Sequence, residues 1–400
     1  MRRKSVTTSV LNVLLQPTMG GARRPDKTFA AIVAKAEQAT GGDAAAVPDF
    51  IDGMRVLTGH FAASPKLSPM GWQSVQGDLR LRIENRLRVQ RLVTAHPEIT
   101  AEPIVRPVFI VGLPRTATTL AHNIIAKSAD HRGPALWEWM FTDIDRGDDA
   151  RRRRIRQTER LVGTFMRLAP AFKVIHPLDA EKPDECNYLL PHGHQHLARV
   201  HMPGYYEWME QRDALPEYEY LKLALQVLQC GREPKRWILK SPMHLDRLPE
   251  IQKVFPDATI VWTHRDPITV LGSLCSLVES SQVMHEHHPD LHAIGDTWLR
   301  LQADAIDRAR RARVDWPREA FVDVPYPWLA AEPHEKVPLL YERIGARWTN
   351  ADARALGGVL ERPGIGRRHE YELGRYGLSP EQVESAFGDY PRLVEKLRLE

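Results

Sequence analysis

The chain has 400 residues, 43% of them hydrophobic and 26% charged, enough apolar surface to fill one large core with helical additions. Its formal net charge of +4 is too mild and too dispersed to argue for a nucleic-acid partner, but it suits an anionic small ligand. Three cysteines, Cys186, Cys230 and Cys275, lie far apart without a CxxC pair, so neither a disulfide framework nor a zinc knuckle is indicated and a reducing cytoplasm is expected.

The opening MRRKSVTTSVLNVLLQP sets basic residues before an apolar stretch. Polar residues interrupt that stretch and no small-residue cleavage site follows closely, so a secretory leader is not expected. No run approaches the ~20 apolar residues of a membrane span. Residues 1 to about 100 carry no strand-like runs, and DFIDGMRVLTGHF and DLRLRIENRLRVQRLVTAHPEI space their apolar residues three to four apart; this predicts a helical N-terminal region. From about 101 to 400 come short apolar runs, each ending at a polar or glycine-bearing turn: VFIVG (108–112), RWILKS (236–241), ATIVWTHR (258–265) and FVDVPY (321–326). Helical patterns such as YLKLALQVLQCG and HEKVPLLYERIG lie between and after them, each closed by glycine. Apolar strands alternating with helices predict an α/β domain, a parallel sheet covered on both faces, with ligands at the carboxyl ends of its strands.

RRRR at 151–154 reads as a solvated helix face, and HEHHPDLH as an exposed helix junction. In HGHQHLARVH, His192, His194 and His196 alternate and on a strand would share one face. No acidic or cysteine partner stands at metal-ligand spacing, so they read as a pocket wall rather than a metal site.

FIVGLPRTATTLAH runs an apolar strand into a glycine turn and then a helix near Thr118. Free N–H groups and the positive end of the helix dipole would face an anion in that turn. Arg115 adds a fixed charge and Thr116, Thr118 and Thr119 add hydroxyls. Counted from Gly112, the places of the Walker glycine, lysine and Ser/Thr hold Ala117, Thr118 and Thr119. Without the lysine, the turn is not built for a triphosphate with magnesium. In THRDPITVLGSLCSL, Arg265 closes a strand, Asp266 and Pro267 read as N-cap and first helical residue, and Ser273 follows two turns in.

GLPRTATTL, residues 112–120, resembles the 5′-phosphosulfate loop of sulfotransferases that use 3′-phosphoadenosine-5′-phosphosulfate, usually PRTGTT or PKSGTT, with Ala117 in place of the usual glycine. The resemblance implies a P-loop-like α/β fold and a 5′-phosphosulfate held by Pro114, Arg115, Thr116, Ala117, Thr118 and Thr119. Arg265 and Ser273 reproduce the family's separation for the 3′-phosphate. WILKSPMHLDRLP resembles the Lys-Ser-Pro segment of carbohydrate and Golgi-type members, which gives Lys240 the bridging oxygen. VDVPYPWLAAEP resembles the strand end beside the adenine and assigns Tyr326 to the base, although Pro327 and Trp328 replace an acidic pair. RPGIGRRHEYEL resembles the closing loop, with Arg368 and His369 on the cofactor.

For the base that deprotonates the acceptor two residues stay open. Glu138 in ALWEWMF stands where Golgi-type and tyrosylprotein sulfotransferases carry a glutamate; His244 follows Lys240 by four residues. DAEKPDECNYLL (179–190) is also similar to bacterial members, and whether Asp184 or Glu185 is structural or touches the acceptor stays open too. The implied donor is 3′-phosphoadenosine-5′-phosphosulfate without a metal, and the implied acceptor is a hydroxyl on a small molecule, glycan or lipid. Two rivals remain: a P-loop kinase-like phosphotransferase, and a catalytically silent nucleotide-binding protein of the same fold.

Overall fold

A computed structural model of the chain describes residues 6–170, 172, 177–360 and 372–399. Five strands, β1 (Val108–Gly112), β2 (His131–Arg132), β3 (Arg236–Lys240), β4 (Thr259–His264) and β5 (Phe321–Pro325), form one sheet in the order β2-β3-β1-β4-β5. Every pairing is parallel. Four strands coincide with the apolar runs of the sequence. β2 does not: it is two residues long, held by pairing His131 with Arg236 and Arg132 with Trp237, and too short to leave a periodic pattern.

Alternate residues of each strand go to opposite faces. Val108, Ile110, Ile238, Val261, Val322 and Val324 pack with α5 (Thr118–Ile125) and the helices Pro333–Arg343 and Asn350–Leu360. Phe109, Val111, Trp237, Leu239, Ile260 and Trp262 pack on the other face. Removing each such side chain from water stabilises the fold by roughly 1.5–3 kcal/mol, which is why strands covered on both sides are apolar throughout.

The other face is covered partly by the N-terminal helices α2 (Pro25–Thr40), α3 (Pro48–Ala63) and α4 (Pro69–Ala95), and α1 (Val6–Leu14) packs against α4. α2, α3 and α4 each begin at a proline, whose fixed φ and missing N–H suit the first helical position. In α4 the Ser68 hydroxyl caps the start by accepting from the Gly71 N–H at 3.0 Å. At 27 residues α4 is about 40 Å long. Trp72, Val75, Leu79, Ile83 and Leu87 fall along its buried stripe and join Phe109 and Trp262 in one continuous core.

After β2 come α6 (Leu136–Met140) and α7 (Asp148–Leu168), and α7 presents Arg151, Arg152 and Arg153 to solvent. The histidine-rich stretch is not a strand. His192 lies in a bend and His194 and His196 in the short helix His194–Leu197, all three buried. HEHHPDLH is exposed only in part: His287 and His288 face solvent, whereas His285 and Glu286 are buried and Glu286 Oε1 accepts from the His201 N–H at 2.8 Å. The His285 carbonyl in the closing turn of the helix Pro267–His285 accepts from the Ser68 N–H at 2.8 Å, a contact that spacing alone does not reveal. Among the described residues no helix is long and apolar enough to cross a membrane.

The chain passes from β3 on one side of β1 to β4 on the other, so strand order reverses at β1. Register pairs Gly112 with Thr263, which brings the ends of β1 and β4 level, and Ile110 with Lys240, so β3 ends two residues earlier. Open parallel sheets bind ligands at this switch point.

Candidate active site

The turn after β1 is shaped by close packing. Gly112 has φ 142°, and a Cβ there would lie 2.5 Å from the Thr263 carbonyl oxygen of β4, so only glycine fits. Thr116 is buried, donates through Oγ1 to the Leu113 carbonyl at 2.7 Å and meets Thr263 Oγ1 at 2.6 Å, which ties the turn to β4. Arg115 and Ala117 both adopt left-handed backbone, with φ 72° and 73°. That conformation costs an L-residue about 1–2 kcal/mol. It explains why resembling loops carry glycine at the Ala117 position, and Ala117 shows that the turn keeps its shape without it. α5 starts at Thr118 with Ala117 as its N-cap, so the N–H groups of its first turn are available to an anion. Pro114 is half-buried in the turn, Thr118 is buried and Thr119 is exposed.

The strand end of β4 comes to the same place. Asp266 caps the helix Pro267–His285 by accepting from the Thr269 N–H at 2.9 Å, and Ser273 is buried two turns in. Arg115 Nε donates to Ser273 Oγ at 3.1 Å, and Arg265 Nη1 donates to the Arg115 carbonyl at 3.0 Å. Two motifs 150 residues apart in the chain therefore meet around Arg115. Tyr326 opens the helix after β5, and the Arg265 guanidinium lies 4.1 Å from its ring centroid. Arg115, Arg265, Ser273, Tyr326 and the start of α5 form one cluster at the ends of β1, β4 and β5, able to hold anionic groups and to offer an aromatic face to a base.

Lys240 ends β3 with its side chain 1% exposed; Nζ donates to Glu185 Oε1 at 2.7 Å and to Thr119 Oγ1 at 3.4 Å. It links the turn after β1 to a carboxylate. Glu185 precedes the helical turn Cys186–Tyr188, in a segment held from a distance. Arg82 of α4 donates through Nη1 to the carbonyls of Asn187, Tyr188 and Leu190 at 2.9, 3.2 and 2.6 Å, and through Nε to Asp78 at 2.9 Å. Burial pushes the Asp78 carboxyl up, but the guanidinium groups of Arg199 and Arg82 outweigh it and hold Asp78 well below the usual carboxylate range. Asp184 turns its carboxylate onto its own segment, where Oδ1 accepts from the Glu185 N–H at 2.7 Å.

Glu138 is engaged elsewhere. Oε2 accepts from the Ala135 N–H at 3.0 Å at the start of α6, and Oε1 accepts from Arg132 at 2.5 Å and Arg232 at 3.2 Å. His244 is buried between Phe109 and Tyr218, with Nδ1 2.8 Å from the Tyr218 hydroxyl. Its Nε2 has no hydrogen-bond partner among the described residues. Burial pushes its imidazole down to about 3, so it is neutral near pH 7 and a weak proton acceptor. Arg368 and His369 lie outside the described residues. Beyond them Arg375 donates to Glu279 at 2.7 Å, which fixes the turn Leu373–Tyr376 to the helix Pro267–His285.

Arg82 escaped the sequence reading, although it left a signal: an arginine between Leu79 and Ile83 on the apolar stripe of α4 must bury its charge and find partners there.

A sequence model described as the sulfotransferase family matches residues 107–350. Omega-hydroxy-beta-dihydromenaquinone-9 sulfotransferase Stf3 of Mycobacterium tuberculosis is 26% identical over 264 residues, 62% of this chain and 64% of that protein, and its Mycobacterium bovis counterpart matches equally. The match thus spans just under two thirds of these relatives' length. Among solved structures, sulfotransferase STF1 of M. tuberculosis H37Rv superposes with a TM-score of 0.79 at 26% identity, covering 90% of this chain and 97% of that one. STF9 of Mycobacterium avium gives 0.81 at 26% identity, covering 91% and 95%. The family match runs from just before β1 to past β5 and so takes in every strand end described above: this chain belongs to the sulfotransferase family.

Proposed function

We propose that the protein transfers a sulfuryl group from 3′-phosphoadenosine-5′-phosphosulfate to the hydroxyl of a lipid. The observation that carries this reading is the chain of contacts from Ser273 and Arg265 through Arg115 and its turn to Thr119, Lys240 and Glu185. An anion cradle and a cation–carboxylate pair stand side by side, as transfer from a phosphosulfate to a hydroxyl requires. The lipid acceptor is suggested by the relative named for a hydroxylated dihydromenaquinone. Three separated cysteines, two of them buried thiols, suit a cytoplasmic setting.

In this reading Pro114 to Thr119, with the first turn of α5, hold the 5′-phosphosulfate, Arg265 and Ser273 hold the 3′-phosphate, and Tyr326 lies against the adenine. Lys240 neutralises the charge that grows on the bridging oxygen, a role worth about 10²–10³ in rate. Glu185 takes the proton of the acceptor hydroxyl, worth about 10²–10⁴. The new bond joins the acceptor oxygen to sulfur, the bond from sulfur to the bridging oxygen breaks, and a sulfate ester and 3′-phosphoadenosine-5′-phosphate leave. Glu185 is preferred to Glu138 because it is the carboxylate on Lys240, and to His244 because that imidazole is buried and weakly basic. His244 keeps Nε2 available to orient the acceptor. The helical N-terminal region serves the acceptor side, since α4 supplies Arg82.

The test is turnover of radiolabelled phosphosulfate donor with a panel of hydroxylated isoprenoid lipids, glycans and small alcohols. Label is expected on a lipid hydroxyl. Magnesium-dependent ATP consumption with no sulfate transfer would favour the kinase-like reading, which the absence of a lysine at Thr118 opposes. Donor binding without any turnover would favour the silent protein, which the Lys240–Glu185 pair opposes.

A further inference from the structure

α1 is amphipathic in the reverse of the usual sense. Its buried side chains are polar, Thr8 and Asn12, and each is bonded to the body of the protein. Thr8 Oγ1 donates to the Leu168 carbonyl at the end of α7 at 3.1 Å, and Asn12 Oδ1 accepts from the Met70 N–H in the first turn of α4 at 2.9 Å. Beside the exposed polar Thr7 and Ser9, three apolar side chains turn outward: Val10, Val13 and Leu14 are 53%, 75% and 67% exposed. Positions 10, 13 and 14 share one helical face. A helix fastened by its polar side with an apolar stripe turned to solvent has its unpartnered surface on the outside.

The charge along the first 36 residues is one-sided. Arg2, Arg3 and Lys4 precede α1 in the chain, Arg23 and Arg24 are exposed on the segment that leads away from it, and Asp26 is the one acidic residue among the first 36. A second copy of the chain is a poor occupant, because a two-fold interface through α1 would set basic rim against basic rim. A surface that is apolar below and anionic above answers both features.

We propose that α1 docks the protein on anionic lipid bilayers, with Val10, Val13 and Leu14 at the boundary between headgroups and acyl chains and the exposed Arg23 and Arg24 on the headgroups. One short helix gives reversible, salt-sensitive attachment rather than insertion. This inference rests on α1 and its surroundings, and is independent of the donor and acceptor assigned above.

The experiment is co-sedimentation of the full chain with vesicles of equal parts phosphatidylglycerol and phosphatidylcholine, with pure phosphatidylcholine vesicles as the comparison. The expected result is binding to the anionic vesicles at low salt, reduced about tenfold or more by high salt or by the neutral lipid. The Val13→Asp/Leu14→Asp variant should lose that binding while keeping the thermal melt of the parent, since both side chains are exposed. Equal binding by parent and variant, or no binding to the anionic vesicles, overturns the proposal. So does a parent that dimerises in sedimentation velocity through contacts the variant abolishes.

Discussion

The turn after β1 takes its shape from neighbours in the chain and one adjacent strand: Gly112, Thr116 and Ala117 are fixed by β4 and by the start of α5. The segment that carries Glu185 takes its shape from Arg82, which reaches it across 105 residues or more to satisfy three carbonyls. The two regions also differ in charge. Arginines, charged at every accessible pH, dominate the first, whereas the second runs into His192, His194 and His196, buried and held neutral. In the proposed function the first region holds the anions and the second takes the proton, and Lys240 is the bond between them.

The largest effect that would sharpen this contrast belongs to Glu185→Gln. Its kcat is expected to fall about 10²–10⁴-fold, measured with saturating donor, while the fold persists by circular dichroism. Activity within a few-fold of the parent would return the base to Glu138 or His244.

Acid should act on the buried histidines of both regions, His122 of α5 included, whose imidazole burial pushes down to about 3. Burial pushes His194, His196 and His244 each down to about 3 from the ordinary 6.5. The unfolded chain therefore binds protons that the native chain refuses. Stability is complete above about pH 6.5 and is lost as pH falls toward 3, by up to about 1.4 kcal/mol per pH unit for each histidine. Melting temperature against pH reads this directly. A flat profile from pH 7 to 5 would contradict these buried, neutral imidazoles.

Arg82→Lys keeps a charge beside Asp78 but not the fork that satisfies three carbonyls. A kcat loss of about tenfold is expected, with affinity for 3′-phosphoadenosine-5′-phosphate unchanged, since the damage falls on the Glu185 segment alone; a rate of ten per cent corresponds to about 1.4 kcal/mol. Steady-state rates and a product titration on the same preparation separate the two. Ala117→Gly has the smallest effect. Relief of the left-handed backbone, about 1–2 kcal/mol, is largely offset by the greater freedom of glycine in the unfolded chain. A rise in stability of less than about 1 kcal/mol, read from a thermal or denaturant melt, is expected.

The same contrast decides what could be read from residues alone. The strand, the glycine turn and the helix start at Thr118 are local, and Asp266 and Pro267 announce the helix that brings Ser273 to its place. Four of five strands were legible because full burial leaves them apolar. The Lys240–Glu185 pair was not legible, because nothing in DAEKPDECNYLL says which of its acids faces Lys240; the answer lies in contacts from α4 that no local pattern encodes. Glu138 was favoured by position, and its bonds to Arg132, Arg232 and the Ala135 N–H engage it away from Lys240.

Titration calorimetry with 3′-phosphoadenosine-5′-phosphate on two variants tests most directly whether nucleotide binding and proton removal reside in separate regions. The account predicts that Arg265→Ala weakens binding about 10–100-fold, the loss of charge-assisted hydrogen bonds, and that Glu185→Gln binds as tightly as the parent or more so. Undiminished affinity in Arg265→Ala, or its collapse in Glu185→Gln, would contradict it.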